Sequence, residues 1–247
     1  MINTSENTIE YCLYNPSGNI TALVFGCYNA SDRKAIADRI MLCEPGCEQV
    51  GFIYFEAENP SFVKLEMTGG EFCGNATMCA SIALFSAFEG NSESFDCTAK
   101  CSGMEDELKV HIRALNDNKY LAKLFLNSTK PASGIDHEII ICDSAPDRKA
   151  AENTIKSLSG NNAKGMMFLN GRNLTPLVYV PDAGTLFWEN SCASGCIAVA
   201  SHLYEKRKES FEEEIFMPGG SIKIACDGIR ISLEEVIEKG ETKTISI

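Results

Sequence analysis

Two stretches of the chain place a cysteine directly before a run of small residues that then becomes apolar. The first is EFCGNATMCASIALF, from Glu71 to Phe85, and the second is ENSCASGCIAVASHL, from Glu189 to Leu203. After Cys73 and after Cys192, apolar side chains recur at helical spacing. The residues that carry this spacing are Met78, Ile82 and Phe85 in the first stretch, and Ile197, Val199 and Leu203 in the second. The pattern predicts two helices that each begin at a cysteine.

A cysteine at a helix start has a specific chemical environment. The first backbone N–H groups of a helix are unpaired, and they carry about half a positive charge. We therefore expect the pKa of each thiol to fall from about 8.5 towards neutrality. The same N–H groups can hold the carboxylate of a ligand. The alternative is that Cys73 and Cys192 only fill space at tight helix starts, as buried free cysteines often do.

The chain repeats the order of its elements once. ASDRKAIA, residues 30–37, is matched by APDRKAAE, residues 145–152, at an offset of 115 residues. Both stretches read as amphipathic helices, and Ser31 and Asp147 are their N-cap candidates. Apolar strands follow in each half, with Gly51 and Gly165 lying 114 residues apart, and then come the two cysteine stretches. Four matches in one order favour a duplicated lobe over two generic strand–helix units.

The repeat predicts an α/β (α+β) fold of two pseudo-symmetric lobes, with a mostly antiparallel sheet in each. We place the N-terminal lobe at residues 1–115, and the last strand, residues 241–247, is a candidate to join it. The C-terminal lobe then covers residues 116–240. Two such lobes leave a cleft between them, where ligands tend to bind. If both helix starts face this cleft, a thiolate and a thiol would flank the α-carbon of a bound amino acid. That is the geometry for removing a proton from one face and returning one to the other.

Composition excludes several partners. The 247 residues include 34 acidic and 22 basic side chains, a formal charge of −12. Nucleic acids and anionic membrane surfaces need basic patches, so we expect neither as a partner. No window approaches the ~18 apolar residues of a membrane span. The opening MINTSENTIEY lacks a basic segment followed by an apolar one, so we expect no export signal and a cytoplasmic protein.

Twelve cysteines suggest thiols in a reducing compartment rather than a disulfide framework. Three pairs have C-x3-C spacing: Cys43/Cys47, Cys97/Cys101 and Cys192/Cys196. Structural zinc sites usually use C-x2-C knuckles, and no histidine pair accompanies these pairs. We therefore expect no metal and no cofactor. A thiol-rich metal-binding or redox module stays as the alternative from a different functional class.

Several phrases of the chain resemble the cofactor-independent amino-acid racemases and epimerases of the diaminopimelate epimerase-like superfamily. Within that group, the chain is most similar to the histidine racemases of opine-type metallophore biosynthesis. The phrases cover nearly the whole length: YNPSGN (14–19), CEQVGF (47–52), FCGNATM (72–78), ENSCASG (189–195) and MPGGSI (217–222). The resemblance implies two lobes that are each a barrel-like sheet around a central helix, and it also implies a homodimer.

The resemblance further implies roles for individual residues. Cys73 and Cys192 would be the catalytic pair. A small-molecule amino-acid substrate would be bound by a set of residues from both lobes: Asn15, Gln49, Gly74 and Asn75 from the first, and the N–H groups of Ala193, Ser194 and Gly195 from the second.

One departure from the family pattern bears on the substrate. The diaminopimelate enzymes carry an arginine before the second cysteine that clamps a distal carboxylate, whereas this chain has no arginine between Arg172 and Arg207. A desolvated carboxylate without a cationic partner is costly, so the distal group of the substrate should not be an acid. An aromatic wall and acidic acceptors suit an imidazole ring, and the candidates are Phe187, Trp188, Glu189 and Glu48. Trp188 has ordinary core packing as its alternative role.

The leading hypothesis is thus a racemase that interconverts L- and D-histidine with two cysteine bases. The alternatives in the same class are epimerases or racemases of diaminopimelate or of a proline derivative.

Overall fold

The computed structural model describes residues 8–56, 58–88, 92–116, 118–127 and 134–246. The helices are α1 (Ala30–Cys43), α2 (Gly74–Phe88), α3 (Arg148–Ser157) and α4 (Ala193–Arg207). The strands of the first half are β1 (Thr8–Pro16), β2 (Ile20–Phe25), β3 (Cys47–Glu56), β4 (Asn59–Met67), β5 (Ser94–Cys101), β6 (Leu108–Ala114) and β7 (Lys119–Asn127). Those of the second half are β8 (Ile135–Ile141), β9 (Ala163–Asn170), β10 (Asn173–Val180), β11 (Thr185–Trp188), β12 (Phe211–Met217), β13 (Gly220–Cys226) and β14 (Arg230–Ser246).

The two halves have the same topology. In the first half, β2 is parallel to β3 across α1, and β4 is parallel to β5 across α2. In the second half, β8 is parallel to β9 across α3, and β10 is parallel to β12 across β11 and α4. Antiparallel pairings join the remaining neighbours in both halves. The predicted class is therefore confirmed: an α/β fold of two pseudo-symmetric lobes with largely antiparallel sheets.

The sheet of the first half closes on itself. Strand β1 pairs with both β2 and β14, so β1 to β7 and β14 form an eight-stranded barrel. Helix α2 occupies its interior, and every residue from Gly74 to Phe85 is buried. This helix has small and apolar side chains around its whole circumference, as a fully enclosed helix requires. The sequence of the cysteine stretch thus matches a helix with no solvent-facing side along most of its length.

Strand β14 belongs to both halves. Its first part pairs with β7 on one side and β13 on the other, and its second part pairs with β1. The predicted lobe boundary between residues 115 and 116 falls in the turn between β6 and β7, and it stays a prediction. Residues 1–7, Asp117 and Ile247, on which parts of the sequence predictions fall, lie outside the described residues.

The outer helices begin at polar caps. Asp147 caps α3 and accepts from the N–H of Ala150, as predicted. For α1, the prediction of Ser31 was wrong, because Asn29 has the extended backbone of a cap and accepts from the N–H of Asp32 at 2.9 Å. Ser31 lies in the first turn, and its hydroxyl donates to the Asn29 side chain instead.

Replacing Asn29 by alanine should lower the free energy of unfolding by about 1 kcal/mol, because a first-turn N–H loses its acceptor. Ser31→Ala is the matched control and should cost clearly less, since its hydroxyl bonds to no helix N–H. Urea unfolding followed by circular dichroism measures both variants. An equal or larger loss of unfolding free energy in Ser31→Ala would show that Ser31, rather than Asn29, caps α1.

Candidate active site

The two cysteines lie at the starts of the two central helices and line one cavity between the halves. Cys192 is the N-cap of α4, and Cys73 directly precedes α2. Both side chains contact the same cavity. A Cβ atom built on Gly74 would lie only 2.8 Å from the Cβ of Ala193, so the residues that follow the cysteines are in contact. The structure therefore brings the two helix starts together, as the sequence analysis predicted.

Each sulfur caps its own helix. The Sγ of Cys73 accepts from the N–H of Ala76 at 3.3 Å, and the Sγ of Cys192 accepts from the N–H of Gly195 at 3.3 Å. Both bonds span three residues, which is the relation that serine makes at a helix start. The cysteines thus serve as caps and also face the cavity.

The expected lowering of the thiol pKa values was wrong. Burial in the cleft raises the pKa of Cys73 well above its usual value, and the bond from Ala76 N–H only partly offsets this. Burial likewise raises the pKa of Cys192, and the nearby carboxyl of Glu189 raises it further. Removal of water from the thiolate outweighs the field of the helix. The thiol form is therefore favoured at both residues.

A chain of polar contacts holds the Cys73 thiol. Its S–H donates to Oε1 of Gln49 at 3.1 Å. The amide nitrogen of Gln49 in turn donates to Asn19 at 2.5 Å and to Thr21 at 2.8 Å, which fixes the amide with its oxygen towards the sulfur. Asn19 then donates to Glu48. This chain orients the proton of Cys73 towards the first half.

Four carboxyl groups line the cavity. Asp38 is exposed and pairs with Lys34 at 3.4 Å. Glu189 is half-buried beside Cys192, and desolvation raises its pKa to about 8. Burial also raises the pKa of Glu48, whose two oxygens each accept at 2.7 Å, one from Asn19 and one from Asn190. Glu71 is buried, its pKa is raised by burial, and its Oε2 has no hydrogen-bond partner among the described residues.

The lining contains no basic side chain in the part of the chain that the structure describes. Four acids and no basic side chain in the lining make the cavity favour a cationic ligand and disfavour a second carboxylate. The absence of an arginine between Arg172 and Arg207 in the sequence leads to the same expectation.

The backbone donors at the start of α4 are already engaged. Ala193 N–H donates to Oδ1 of Asn75 at 2.7 Å, and Gly195 N–H donates to the Cys192 sulfur. Asn75 itself belongs to the first turn of α2, so this bond crosses from one half to the other. Two of the three N–H groups predicted to bind substrate therefore bond to protein acceptors in this state.

Most of the predicted site residues line the cavity. They are Glu48, Gln49, Cys73, Asn75, Glu189, Cys192, Ala193 and Ser194. Asn15, Gly74 and Gly195 lie outside the lining. Asn15 is exposed, and its Oδ1 accepts from the N–H of Gly18 at 2.6 Å, which shapes the turn that carries Asn19.

Sequence reasoning missed six polar residues of the lining: Asn19, Asp38, Thr68, Glu71, Thr185 and Ser191. Asn19 lies in the quoted phrase YNPSGN, of which only Asn15 was predicted to bind substrate. Glu71 stands two positions before Cys73 at the start of the quoted stretch, and an acid beside a buried helix start was the available signal. The local sequence does not show that either side chain is buried, because segments distant in sequence cover it.

Of the two aromatic candidates, only Phe187 lines the cavity. Trp188 points to the opposite face of β11, where its ring stacks on Phe168 at 5.8 Å and its Nε1 donates to Glu152 at 2.8 Å. Alternation along a strand explains the difference, since neighbours face opposite sides. Trp188 therefore has the core role that was its alternative.

The described residues contain no group of three or more His, Cys, Asp or Glu side chains that could hold a metal ion. Of the C-x3-C pairs, Cys97/Cys101 and Cys192/Cys196 are buried, while Cys43 is exposed and Cys47 is buried. Within the same described part, none of the helices is long and apolar enough to cross a bilayer.

Comparison with known families accounts for both halves. The family model described as the histidine racemase CntK N-terminal domain matches the chain twice, over residues 8–133 and again over residues 131–246. The chain belongs to this family. It is accordingly an isomerase of the racemase type, and the predicted resemblance is confirmed.

Individual relatives cover nearly the full length. A histidine racemase of Fusobacterium nucleatum is 31% identical, with 94% of this chain and 96% of the relative aligned. A histidine racemase of Staphylococcus aureus is 27% identical over 98% of this chain and 97% of its own. A solved hydroxyproline epimerase of Agrobacterium vitis has a TM-score of 0.65 at 9% identity, covering 98% of this chain and 94% of its own. At that identity, the likeness extends to the fold alone.

Gly74→Ala should separate the two helix starts, because its methyl group would lie 2.8 Å from the Ala193 methyl. We expect a loss of about 1–3 kcal/mol in the free energy of unfolding. Gly46→Ala is the control, since a Cβ there would meet nothing within 4 Å. Combining Gly74→Ala with Ala193→Gly removes the opposing methyl and should recover most of the loss. A double variant as unstable as the sum of the singles would refute the contact.

Raised thiol pKa values predict a pH profile for alkylation of the ligand-free protein. Only the thiolate reacts, so its fraction at Cys73 should be small near pH 7 and should still be rising above pH 9. Iodoacetamide labelling, followed for each cysteine by peptide mass spectrometry, gives the profile. The shape of the rate–pH profile does not depend on how easily iodoacetamide reaches the thiol. The exposed Cys27 and Cys43 report the intrinsic rate of the reagent. A rate for Cys73 that levels off below pH 7.5 would contradict the prediction.

Proposed function

We propose that this chain interconverts L- and D-histidine without a cofactor, by a two-base mechanism at Cys73 and Cys192. One observation carries the proposal. The cavity has a sulfur at each of two facing helix starts, and it is lined by four acids, of which Glu71 is buried, and by no basic side chain among the described residues. The first feature suits proton exchange at a carbon between two faces, and the second suits a substrate that brings positive charge.

In the proposed reaction, a thiolate removes the α-proton from one face of the substrate. The opposite thiol donates its proton to the other face of the same carbon. One C–H bond breaks and another forms, so the pair ends with its roles exchanged and is ready for the reverse direction. Backbone donors at the helix starts stabilise the charge that develops on the carboxylate.

The pair must lose one proton before it can act, since raised pKa values leave both cysteines mainly as thiols near pH 7. We propose that the ionised fraction of Glu189 receives this proton. The Glu189 carboxyl lies beside Cys192, and with a pKa of about 8 its ionised form is a stronger base than an ordinary carboxylate. A cationic substrate between the acids favours the ionised pair by Coulomb attraction. Cys73, which donates to Gln49, then starts as the thiol.

Ser194 and Asn75 are the residues that we propose meet the substrate carboxylate, together with the N–H groups of the first turn of α4. We propose that Gly74 and Gly195 do not contact the substrate. Each instead lets neighbouring groups of the site approach its backbone closely. A Cβ on Gly195 would lie 2.4 Å from the Met167 sulfur and 3.1 Å from the Cys192 sulfur, so glycine leaves room for the thiol. A direct contact of Asn15 with substrate stays a prediction.

The imidazole ring and the ammonium group would face the acids. Both oxygens of Glu48 already accept from amides, and Glu189 is engaged with Cys192, whereas Oε2 of Glu71 has no hydrogen bond of normal geometry within the described ranges. We therefore propose Glu71 as the principal acceptor for a substrate N–H, with Phe187 packing against the ring. Diaminopimelate would place its distal carboxylate among these acids, which is unfavourable.

We also propose that the lobes divide at residues 115/116, with the last strand joining the first lobe. The protein is further proposed to be a homodimer and to be cytoplasmic.

The test is incubation of the reduced protein with L-histidine in deuterium oxide. We expect loss of optical rotation together with incorporation of deuterium at the α-carbon. Cys73→Ser and Cys192→Ser should each lower the racemisation rate by about 10²–10⁴-fold, the usual contribution of an acid or base. Cys27→Ser, at an exposed position outside the cavity, is the control and should leave the rate unchanged.

Parallel incubations with diaminopimelate and proline test the substrate. Turnover of either at a rate above that of histidine would overturn the substrate assignment while retaining the mechanism. A racemisation rate within about tenfold of the wild type in either cysteine variant would overturn the mechanism itself.

A further inference from the structure

A buried acid outside the proposed chemistry lies beneath both helix starts. Glu235 is on β14 and is 2% exposed, on the inward face of the strand between Leu233 and Ile237. Every second residue of this part of β14 is buried, and Glu235 is the charged member of an otherwise apolar row. A carboxyl in such a row costs free energy unless it has partners.

Glu235 begins a chain of hydrogen bonds that connects the two central helices. Its Oε1 accepts from the hydroxyl of Ser191 at 3.1 Å. The Ser191 hydroxyl and backbone oxygen accept from Nδ2 of Asn75 at 3.3 and 3.4 Å. Oδ1 of Asn75 accepts from Ala193 N–H at 2.7 Å. The hydrogen bonds thus run from Glu235 on β14 to Ser191, from Ser191 to Asn75, and from Asn75 to Ala193. Ser191 and Ala193 flank Cys192, and Asn75 follows Cys73 by two residues.

Two backbone groups set which way the Asn75 amide points: Nδ2 donates to the Ser191 backbone oxygen, and Oδ1 accepts from Ala193 N–H. The Ser191 hydroxyl supports the same orientation, because it gives its proton to Glu235 and so accepts from Nδ2 of Asn75. Without an acceptor at position 235, this hydroxyl would be free to donate elsewhere, and Nδ2 would keep only the backbone oxygen.

The surroundings of Glu235 offer it little stabilisation. The titratable groups that face it are the thiols of Cys79 on α2 and Cys196 on α4. Burial raises its pKa to about 7, although the hydroxyls of Ser17 and Ser191 favour the charged form. Its Oε2 has no hydrogen bond of normal geometry among the described residues. A well-packed apolar side chain is often neutral or stabilising at such a position, so folding alone does not require a carboxyl here.

We propose that Glu235 is a positioning residue which, through Ser191 and Asn75, holds the starts of α2 and α4 in the relative orientation that catalysis needs. Its effect on rate rests on the proposed function, whereas its effect on the orientation of the helix starts does not. An acceptor at position 235 is the required feature, so glutamine can replace glutamate and leucine cannot.

Two activity comparisons test the proposal. Glu235→Leu should lower kcat by about tenfold or more in both directions, because small displacements of reacting groups are costly. KM should change by less than about threefold, and the thermal midpoint should be unchanged or higher. Glu235→Gln should restore kcat to within about threefold of the wild type, because its Oε1 can accept from Ser191. A residue with only a folding role would change stability and leave kcat intact.

Ser191→Ala removes the next link, and Glu235→Leu combined with it should be no slower than the slower single variant. Glu238→Gln is the matched control, an exposed acid on the same strand. Wild-type kcat in Glu235→Leu, or equal losses in the Leu and Gln variants, would overturn the proposal.

Amide hydrogen exchange provides a readout without turnover. The segment 189–197 contains Ala193 N–H, which the chain protects, and Glu235→Leu should speed its exchange by about tenfold while Glu238→Gln should not. If the wild type racemises no amino acid, the proposed function fails. The exchange comparison still tests whether the hydrogen bonds that begin at Glu235 hold the two helix starts. Unchanged exchange in Glu235→Leu would overturn the inference.

Discussion

The direct contact between the starts of α2 and α4 is the constraint on which the rest of the site depends. Gly74 lies against Ala193 with no room for another methyl group, and Asn75 reaches across to bond the Ala193 N–H. The contact places a sulfur on each side of one cavity because each cysteine immediately precedes the contacting residue. It forms where α2, inside the barrel, meets the start of α4, which packs on β13 and β14, and β14 is shared by both halves.

Enclosure also sets the electrostatics of the site. Desolvation raises the pKa of both cysteines and of the carboxyls around them, and it does so more strongly than the helix starts lower the thiol values. Both thiols are therefore weak acids near neutral pH. In the proposed mechanism, a substrate that brings positive charge changes this balance, because it favours ionisation of every acid and thiol near it. The proposed mechanism thus couples substrate charge to thiolate formation.

The two repeats have diverged where they meet. Both present a cysteine that caps a helix through the N–H three residues later, but the residue two after the cysteine is Asn75 in one and Ser194 in the other. Only the longer amide spans the interface, and it is held there by Ser191. The duplication supplies two equivalent helix starts, and the asymmetric contacts between them give each cysteine a different partner, Gln49 for Cys73 and Glu189 for Cys192.

The sequence by itself determined the duplicated topology, the two helix starts and the absence of a basic residue near the second cysteine. These are properties of local pattern and of order along the chain, which periodicity and spacing record directly. Only the tertiary structure decided the direction of the thiol pKa shifts, the burial of Glu71 and Glu235, the place of Asn19 in the cavity lining and the packing of Trp188 against Phe168. Each of these depends on which distant segment covers a side chain and removes its water. Desolvation and hydrogen-bond partners arise between residues that are remote in sequence, so local pattern carries no record of them.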